Sequence, residues 1–332
     1  MVMSEHPELI CAYLLDGKGR GNPLDWLAAN EWTPDQGKIW VHLDCSFEST
    51  DAWLREHSGL DTFVTDGLLA SETRPRCDLY DDGIMIILRG VNLNPGADTD
   101  DMVSIRIWIE EHRVITTRLR PLMAVNDIRQ QLEAGKGPVS TGHLVARLAA
   151  GLTERMGPTI DDLSDQVAIL EDQLASDGEG EKLELRDARY KLVSFRRLAI
   201  SLRRHIAPQR DALTRFSQLE EPWLDDRVQG RLLETVDRVT RLTEELDEVR
   251  ERSAVVKDEL LSHISQRMER TMYVLTIVAT IMLPLGFLTG LLGINVGGMP
   301  GAETSWAFWA VCGILLVFVA IEIWILRHFK WI

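Results

Sequence analysis

The apolar positions of this chain change their period along its length. Up to about residue 120 they come in short runs and alternations. The stretches 9–15 and 38–43, apolar and rich in β-branched residues, predict strands. The stretches 50–57 and 62–70 predict short helices. The stretches 79–92 and 102–119 predict antiparallel strands. In the latter, Ile105, Ile107 and Ile109 alternate with Arg106 and Trp108, and Glu110-Glu111-His112 supplies a turn before 113–117. Asn94-Pro95-Gly96, extended by Asp98, Asp100 and Asp101, is a loop. Helices follow at 121–134 and 139–156, separated by Gly135-Lys136-Gly137-Pro138. The reading for 1–157 is an α+β domain with a mainly antiparallel sheet.

Beyond it the period becomes that of heptads. Ile160, Leu163, Val167, Leu170 and Leu174 step by three and four, as do Leu185, Ala188, Leu192, Phe195, Ala199, Leu202 and Ile206. Asp177-Gly178-Glu179-Gly180 between them predicts a turn, so 158–221 reads as an antiparallel helical hairpin. Pro208 and Pro222 bracket a further segment. A third stripe then runs through Leu232, Thr235, Val239, Leu242, Leu246, Val249, Ser253, Val256 and Leu260. Neither Gly nor Pro occurs between Gly230 and Pro284. One stalk helix over 222–270, continuous with the apolar run after it, is the simplest reading: about sixty residues, on the order of 90 Å. Its narrow stripe requires partners.

The last change is to unbroken apolar runs. Residues 271–292 carry no charge, and 305–326 carry only Glu322. Each is long enough to cross ~30 Å of hydrocarbon. The link at 293–304 is too short to fold as a domain, so the pair predicts a membrane hairpin with a tight outer loop and a basic tail at 327–332. Arg267 and Arg270 before the hairpin, and Arg327, His328 and Lys330 after it, place both termini on the cytoplasmic side. Two helices cannot enclose a path through a bilayer, so conduction requires several copies in a ring. The first span, with Thr276, Thr280, Gly286, Thr289 and Gly290, suits the ring's interior, and Pro284 is tolerated where neighbours or water satisfy the freed carbonyl. The same small residues serve equally for plain helix–helix packing. Asn295 in a Gly-rich turn suits the mouth of a pore.

Composition adds exclusions. The net charge is −15 over 332 residues, which disfavours nucleic acid and anionic lipid as partners. Residues 1–20 contain Glu5, Glu8 and Asp16 and no apolar core of signal-peptide length. Cys11, Cys45, Cys77 and Cys312 form no CxxC pair, so neither a disulfide framework nor a zinc finger is indicated. No nucleophile–base arrangement or phosphate loop is present, and Gly135-Lys136-Gly137 lacks the Walker spacing. The chain does not read as an enzyme, and no cofactor is implied.

The segment 273–295 resembles the first membrane helix of the CorA family of divalent-cation transporters, whose signature there is Gly-Met-Asn. Here it reads Gly293-Ile294-Asn295, and Val296-Gly297-Gly298-Met299-Pro300-Gly301 follows. That variant is similar to the zinc-transporting ZntB branch, and Ser71-Glu72-Thr73-Arg74-Pro75-Arg76 fits as well. The resemblance implies a homopentamer in a bacterial inner membrane, with a cytoplasmic funnel. It implies Zn²⁺ as cargo, with uptake coupled to protons. It also implies a selectivity filter of Gly293, Ile294 and Asn295, and a pore lining of Met272, Leu275, Ala279, Leu283 and Gly286. Leu275 and Leu283 would be hydrophobic constrictions, and Met272 would line the cytoplasmic end. The family usually has Thr where Gly286 stands and Met where Leu283 stands, which weakens the case for Mg²⁺ coordination at mid-pore. A ring of Asn295 amide oxygens suits a hydrated dication, and zinc's preference for imidazole and thiolate finds no His in either span.

Other candidates each have a plainer reading. Glu322 is a proton carrier or a snorkelling acid. Glu303 is one member of an outer acidic ring or a solvated loop residue. His205 and His263 are ligands for regulatory zinc or ordinary interface histidines. His42, Asp44 and Cys45 cluster at a strand end as metal ligands would, although strand alternation turns Cys45 away from the other two. Asp225, Asp226, Asp237, Glu244, Glu245, Asp247 and Glu248 line a funnel or form a solvated face. The reading for the whole chain is a zinc transporter. A Mg²⁺, Co²⁺ or Ni²⁺ channel is the alternative within transport, and a membrane-anchored signalling or scaffold protein is the alternative outside it.

Overall fold

The computed structural model describes residues 6–98, 101–175, 185–293 and 304–328. The described residues form two compact units, Met1–Lys257 and Asp258–Ile332. The first is built on a seven-stranded sheet of β1 (Leu9–Leu15), β2 (Gly21–Leu24), β3 (Lys38–Asp44), β4 (Arg76–Tyr80), β5 (Gly83–Val91), β6 (Met102–Ile109) and β7 (Arg113–Arg118), in the order β2-β1-β3-β7-β6-β5-β4. Only β3 and β7 pair in parallel. The sheet is thus mainly antiparallel, as its alternating strands predict.

Alternation along the strands feeds two cores. Ile39, Val41 and Leu43 face α1 (Trp26–Asn30), α2 (Glu48–Glu56) and α3 (Thr62–Leu69), together with Trp53, Leu54, Val64 and Leu68. Trp40, Ile86, Leu88, Ile105 and Ile107 face the larger core. That core also draws on α4 (Met123–Glu133), α5 (Thr141–Glu154), α6 (Gly157–Ala175), α7 (Leu185–Ser217) and α8 (Asp226–Leu292). Because both faces are covered, Arg106 is fully buried and Trp108 is nearly so.

The heptad stripes are buried as their spacing requires. Ile160, Leu163, Val167, Leu170 and Leu174 on α6 are all inside, as are Leu232, Val239, Leu246, Val249, Val256 and Leu260 on α8. Fully burying such a side chain is worth ~1.5–3 kcal/mol, so the stripes, more than helix propensity, hold these helices.

Two expectations are corrected. The stretch 79–92 is not one strand: Asp81 and Asp82 form a turn, and β4 and β5 are a hairpin. Pro208 does not end its helix. It removes one amide donor, but Ala212, Leu213 and Phe216 continue the buried stripe past it and α7 runs on to Ser217. The edge strand β2 and the five-residue α1 carry no periodic signal and are found only in the structure. Pro23 sits in β2 because an edge strand has amide positions that need no ladder partner. The turn expected at 177–180 lies outside the described residues.

Candidate ion-conduction site

The second unit contains the C-terminal part of α8 and α9 (Ala307–His328), and both helices are long and apolar enough to cross a membrane. α8 passes through Pro284 unbroken. The proline leaves the Thr280 carbonyl without its i+4 amide donor.

Exposure in the span divides α8 into a covered stripe and a broad open face. Ile277, Ile281, Pro284, Leu285 and Leu288 are partly covered. Met272, Leu275, Ala279, Leu283 and Gly286 are exposed, Leu275 by 62% and Leu283 by 73%. At ~100° per residue these exposed five fall within roughly 80° of arc, centred opposite the covered five. They are thus the middle of the open face, farthest from the side that packs within the protomer. Gly290 and Gly293 continue the same line towards the helix end. The pore-lining residues carried over from the family resemblance therefore share one helix face.

The hydroxyls near this face bond inward. Thr276 donates to the Met272 carbonyl, Thr280 to Thr276 and Thr289 to Leu285, each at 2.8 Å. Their protons are committed to the backbone, so only lone pairs remain for an ion or water. At the helix end, the Gly293 amide donates to Thr289 O at 2.9 Å and Gly290 O at 3.2 Å. Ile294, Asn295 and Glu303 lie outside the described residues.

On α9 the covered positions include Ala310, Val311, Leu315, Phe318, Val319, Glu322 and Leu326, again one stripe. Glu322 lies on it, with a buried Oε2 that has no hydrogen-bond partner among the described residues. An acid on a helix's covered face, within a membrane span, is costly unless it is protonated or paired.

The cytoplasmic candidates separate from one another. His42 is fully buried, with Nδ1 2.8 Å from Thr116 Oγ1. Burial, then Arg118 and Arg129, hold its pKa down to about 3. Asp44 accepts from Ser46, while Cys45 donates to Leu68 O at 3.5 Å. The described residues contain no group of three or more His, Cys, Asp or Glu side chains able to hold a metal. The metal reading of His42, Asp44 and Cys45 is therefore corrected: each is engaged separately in the fold. His205 and His263 likewise have no such group around them, and His205 stands near Arg89, Arg204 and Arg74. Among the acids, Asp225 caps α8 through the Val228 amide at 2.8 Å. Asp247 pairs with Arg203 and Arg250 at 2.7 and 3.4 Å. Burial raises the pKa of Glu245.

Known proteins match this organisation along its length. The family model for CorA-like Mg²⁺ transporter protein matches residues 35–328. The chain is 38% identical over 327 residues to the divalent cation transporter CmaX of Pseudomonas aeruginosa, covering 98% of this chain and 97% of that one. The structure of full-length CmaX matches with a TM-score of 0.83 at 39% identity, covering 98% of each chain. The zinc transport protein ZntB of Yersinia enterocolitica is 34% identical over 325 residues, covering 98% of this chain and 96% of that one. The CorA magnesium transporter of Methanocaldococcus jannaschii shares the fold, with a TM-score of 0.79 at 20% identity over 97% of this chain and 98% of that one. These relatives are named as transporters, not as enzymes. With the sheet, the long helix and the two candidate spans, the matches establish that this chain belongs to the CorA-like family of membrane transporters.

Proposed function

We propose that the protein carries divalent cations across a bacterial inner membrane, with Zn²⁺ as its physiological cargo, as a homopentamer whose five α8 helices line the path. This reading rests on the line of exposed residues Met272, Leu275, Ala279, Leu283 and Gly286, which Gly293-Ile294-Asn295 follows in the sequence. Among the described residues, the protomer covers only the opposite side of the helix. Small and apolar residues at the centre of the open face, followed in the sequence by a Gly-rich polar segment, suit an axis shared by several copies. The bulkier α9, rich in Trp, Phe, Ile and Leu, suits an outer ring against lipid.

The line offers alkyl side chains and small residues but no charge. A hydrophobic constriction at Leu275 and Leu283 conducts when wetted and excludes ions when dry. The Asn295 amide oxygens supply neutral ligands for a hydrated dication at the outer mouth. Neutral oxygens bind weakly enough for release, as throughput requires. Glu303 adds negative potential there, and both termini lie in the cytoplasm. Glu322 is the protonatable group through which an inward proton gradient couples to uptake.

The ZntB relatives and the Gly-Ile-Asn variant favour zinc as cargo; the CmaX relative is named only for divalent cations. Mass measurement of detergent-solubilised protein tests the assembly. A mass near five protomers agrees with the ring, and a stable dimer contradicts it. Replacing Asn295 by Ala tests the filter: selectivity among Zn²⁺, Mg²⁺ and Co²⁺ must change, and unaltered selectivity would exclude the assignment.

A further inference from the structure

The first unit contains a cluster of unused hydrogen-bond donors. It surrounds the point where β5 outruns its edge partner β4, whose pairing begins at Arg76 opposite Ile87. Beyond that pair the Arg89 amide has no β4 residue to bond. Gln209 of α7 takes the strand's place, accepting from Arg89 N at 2.7 Å through Oε1. The Arg89 side chain reaches the loop before β4 and donates from Nη2 to Thr73 O at 2.5 Å. His205 lies one turn before Gln209 on the same helix.

Four buried polar atoms here have no partner among the described residues: Thr73 Oγ1, Arg89 Nε, His205 Nδ1 and Gln209 Nε2. Gln209 is 0% exposed and Thr73 5%. The position of Gln209 makes the omission sharper. The buried stripe of α7 steps from Ile206 to Gln209 to Leu213 to Phe216, so an amide occupies a site where the pattern calls for an apolar side chain. A buried amide with an idle NH₂ costs ~1–3 kcal/mol. Its oxygen holds the Arg89 amide, but its NH₂ holds nothing among the described residues.

All four atoms can donate: the amide NH₂, the guanidinium Nε–H, the threonine hydroxyl and the imidazole N–H in its Nδ1 tautomer. The surrounding charge has the matching sign. Arg89, Arg204 and Arg74 stand near His205, and burial with these cations holds its pKa down to about 4. Glu72 is the acid that acts on Arg89. This local excess of positive charge occurs in a chain of net charge −15. A single water accepts about two hydrogen bonds and answers no charge. An oxyanion accepts several and neutralises the field.

We propose that Thr73, Arg89, His205 and Gln209, with Arg204 and Arg74 at the rim, form a binding site for one small oxyanion of the phosphate class. The site ties the 71–75 loop to α7. It also accounts for the Ser71-Glu72-Thr73-Arg74-Pro75-Arg76 segment, which conduction does not use. It is a site for an anion, distinct in sign from the cargo.

The test is isothermal titration of inorganic phosphate into the full-length protein in detergent, at constant ionic strength. Saturable binding near one phosphate per chain is expected. Arg204→Gln, at an exposed rim position, should weaken it on the order of tenfold without altering the melting temperature. Gln209→Glu keeps the acceptor for Arg89 N and supplies a fixed carboxylate to the other donors. It should abolish phosphate binding while melting no lower than the phosphate-free parent. Chloride at matched ionic strength should not displace phosphate. The proposal is overturned if the parent shows no saturable binding, which would make this a water site. Unchanged affinity in both variants, or displacement by chloride, overturns it equally.

Discussion

Leu246 and Leu283 lie on the same helix, carry the same side chain and should respond to alanine in opposite ways. Leu246 is fully buried in the heptad stripe, whereas Leu283 is 73% exposed. Truncating Leu246 removes its burial and leaves a cavity, at a cost of ~2–5 kcal/mol. For a unit of this size that is roughly 5–15 °C in apparent Tm. Truncating Leu283 removes atoms that touch little within the protomer, so its effect on stability stays within ~0.5 kcal/mol. In the proposed ring, five copies of that truncation would widen and soften the proposed hydrophobic constriction. Only ~1.4 kcal/mol of wetting penalty need be lost, across all five, for a tenfold rise in flux. The assays are thermal melting of the purified protein and metal influx into proteoliposomes. Leu246→Ala should melt low, with its ion preference intact at a temperature where it remains folded. Leu283→Ala should melt like the parent and conduct about tenfold faster. Parental flux in Leu283→Ala would remove this face from the pore. Low melting in the same variant would show that Leu283 is packed, and would refute the reasoning from exposure.

Other expectations follow from the same physics. His42 is neutral in the fold, its pKa held at about 3 against an ordinary 6.5. Its contribution to stability is therefore complete above pH 6.5 and is lost as pH falls towards 3, at up to ~1.4 kcal/mol per pH unit. Melting curves taken from neutral pH down towards about pH 4.5 should show the parent losing stability below its ordinary histidine range, and His42→Asn should have a shallower slope; equal slopes would remove His42 as the cause. Glu322→Gln should leave downhill Zn²⁺ flux intact and abolish its stimulation by an inward proton gradient; persisting stimulation would place coupling elsewhere. Arg106 donates to Ala70 O at 2.6 Å from a fully buried position. Arg106→Met should keep the fold and loosen the 70–75 loop, seen as faster amide exchange there, and unchanged exchange would deny it that role.

The sequence exposes those features of this fold that repeat. The heptads of α6, α7 and α8 name their own buried residues, and the antiparallel strands declare themselves by alternation. Elements too short to show a period escape notice: β2 and α1 carry four and five residues. The Asp81–Asp82 turn is hidden because apolar residues flank it closely on both sides. Pro208 misleads because a proline's local cost is visible in sequence, while the packing of Leu213 and Phe216 that offsets it is not. The candidate conduction site divides similarly. Its helix and its terminal motif are legible, but the opposition of open and covered sides requires coordinates. His205 shows the limit most clearly. From sequence it is a histidine on a stalk-associated helix, open to a metal. Arg74 and Arg89, distant in sequence, come beside it in the fold and make the place cationic.

Zinc transport itself is decided by influx into proteoliposomes of purified protein, with Zn²⁺ and Mg²⁺ compared with and without an inward proton gradient. Zn²⁺ should enter well above the rate of empty vesicles, faster than Mg²⁺ and accelerated by the gradient. Entry of neither metal above the empty-vesicle rate would contradict transport. Mg²⁺ entry that outpaces Zn²⁺ and ignores the gradient would contradict the assignment of zinc.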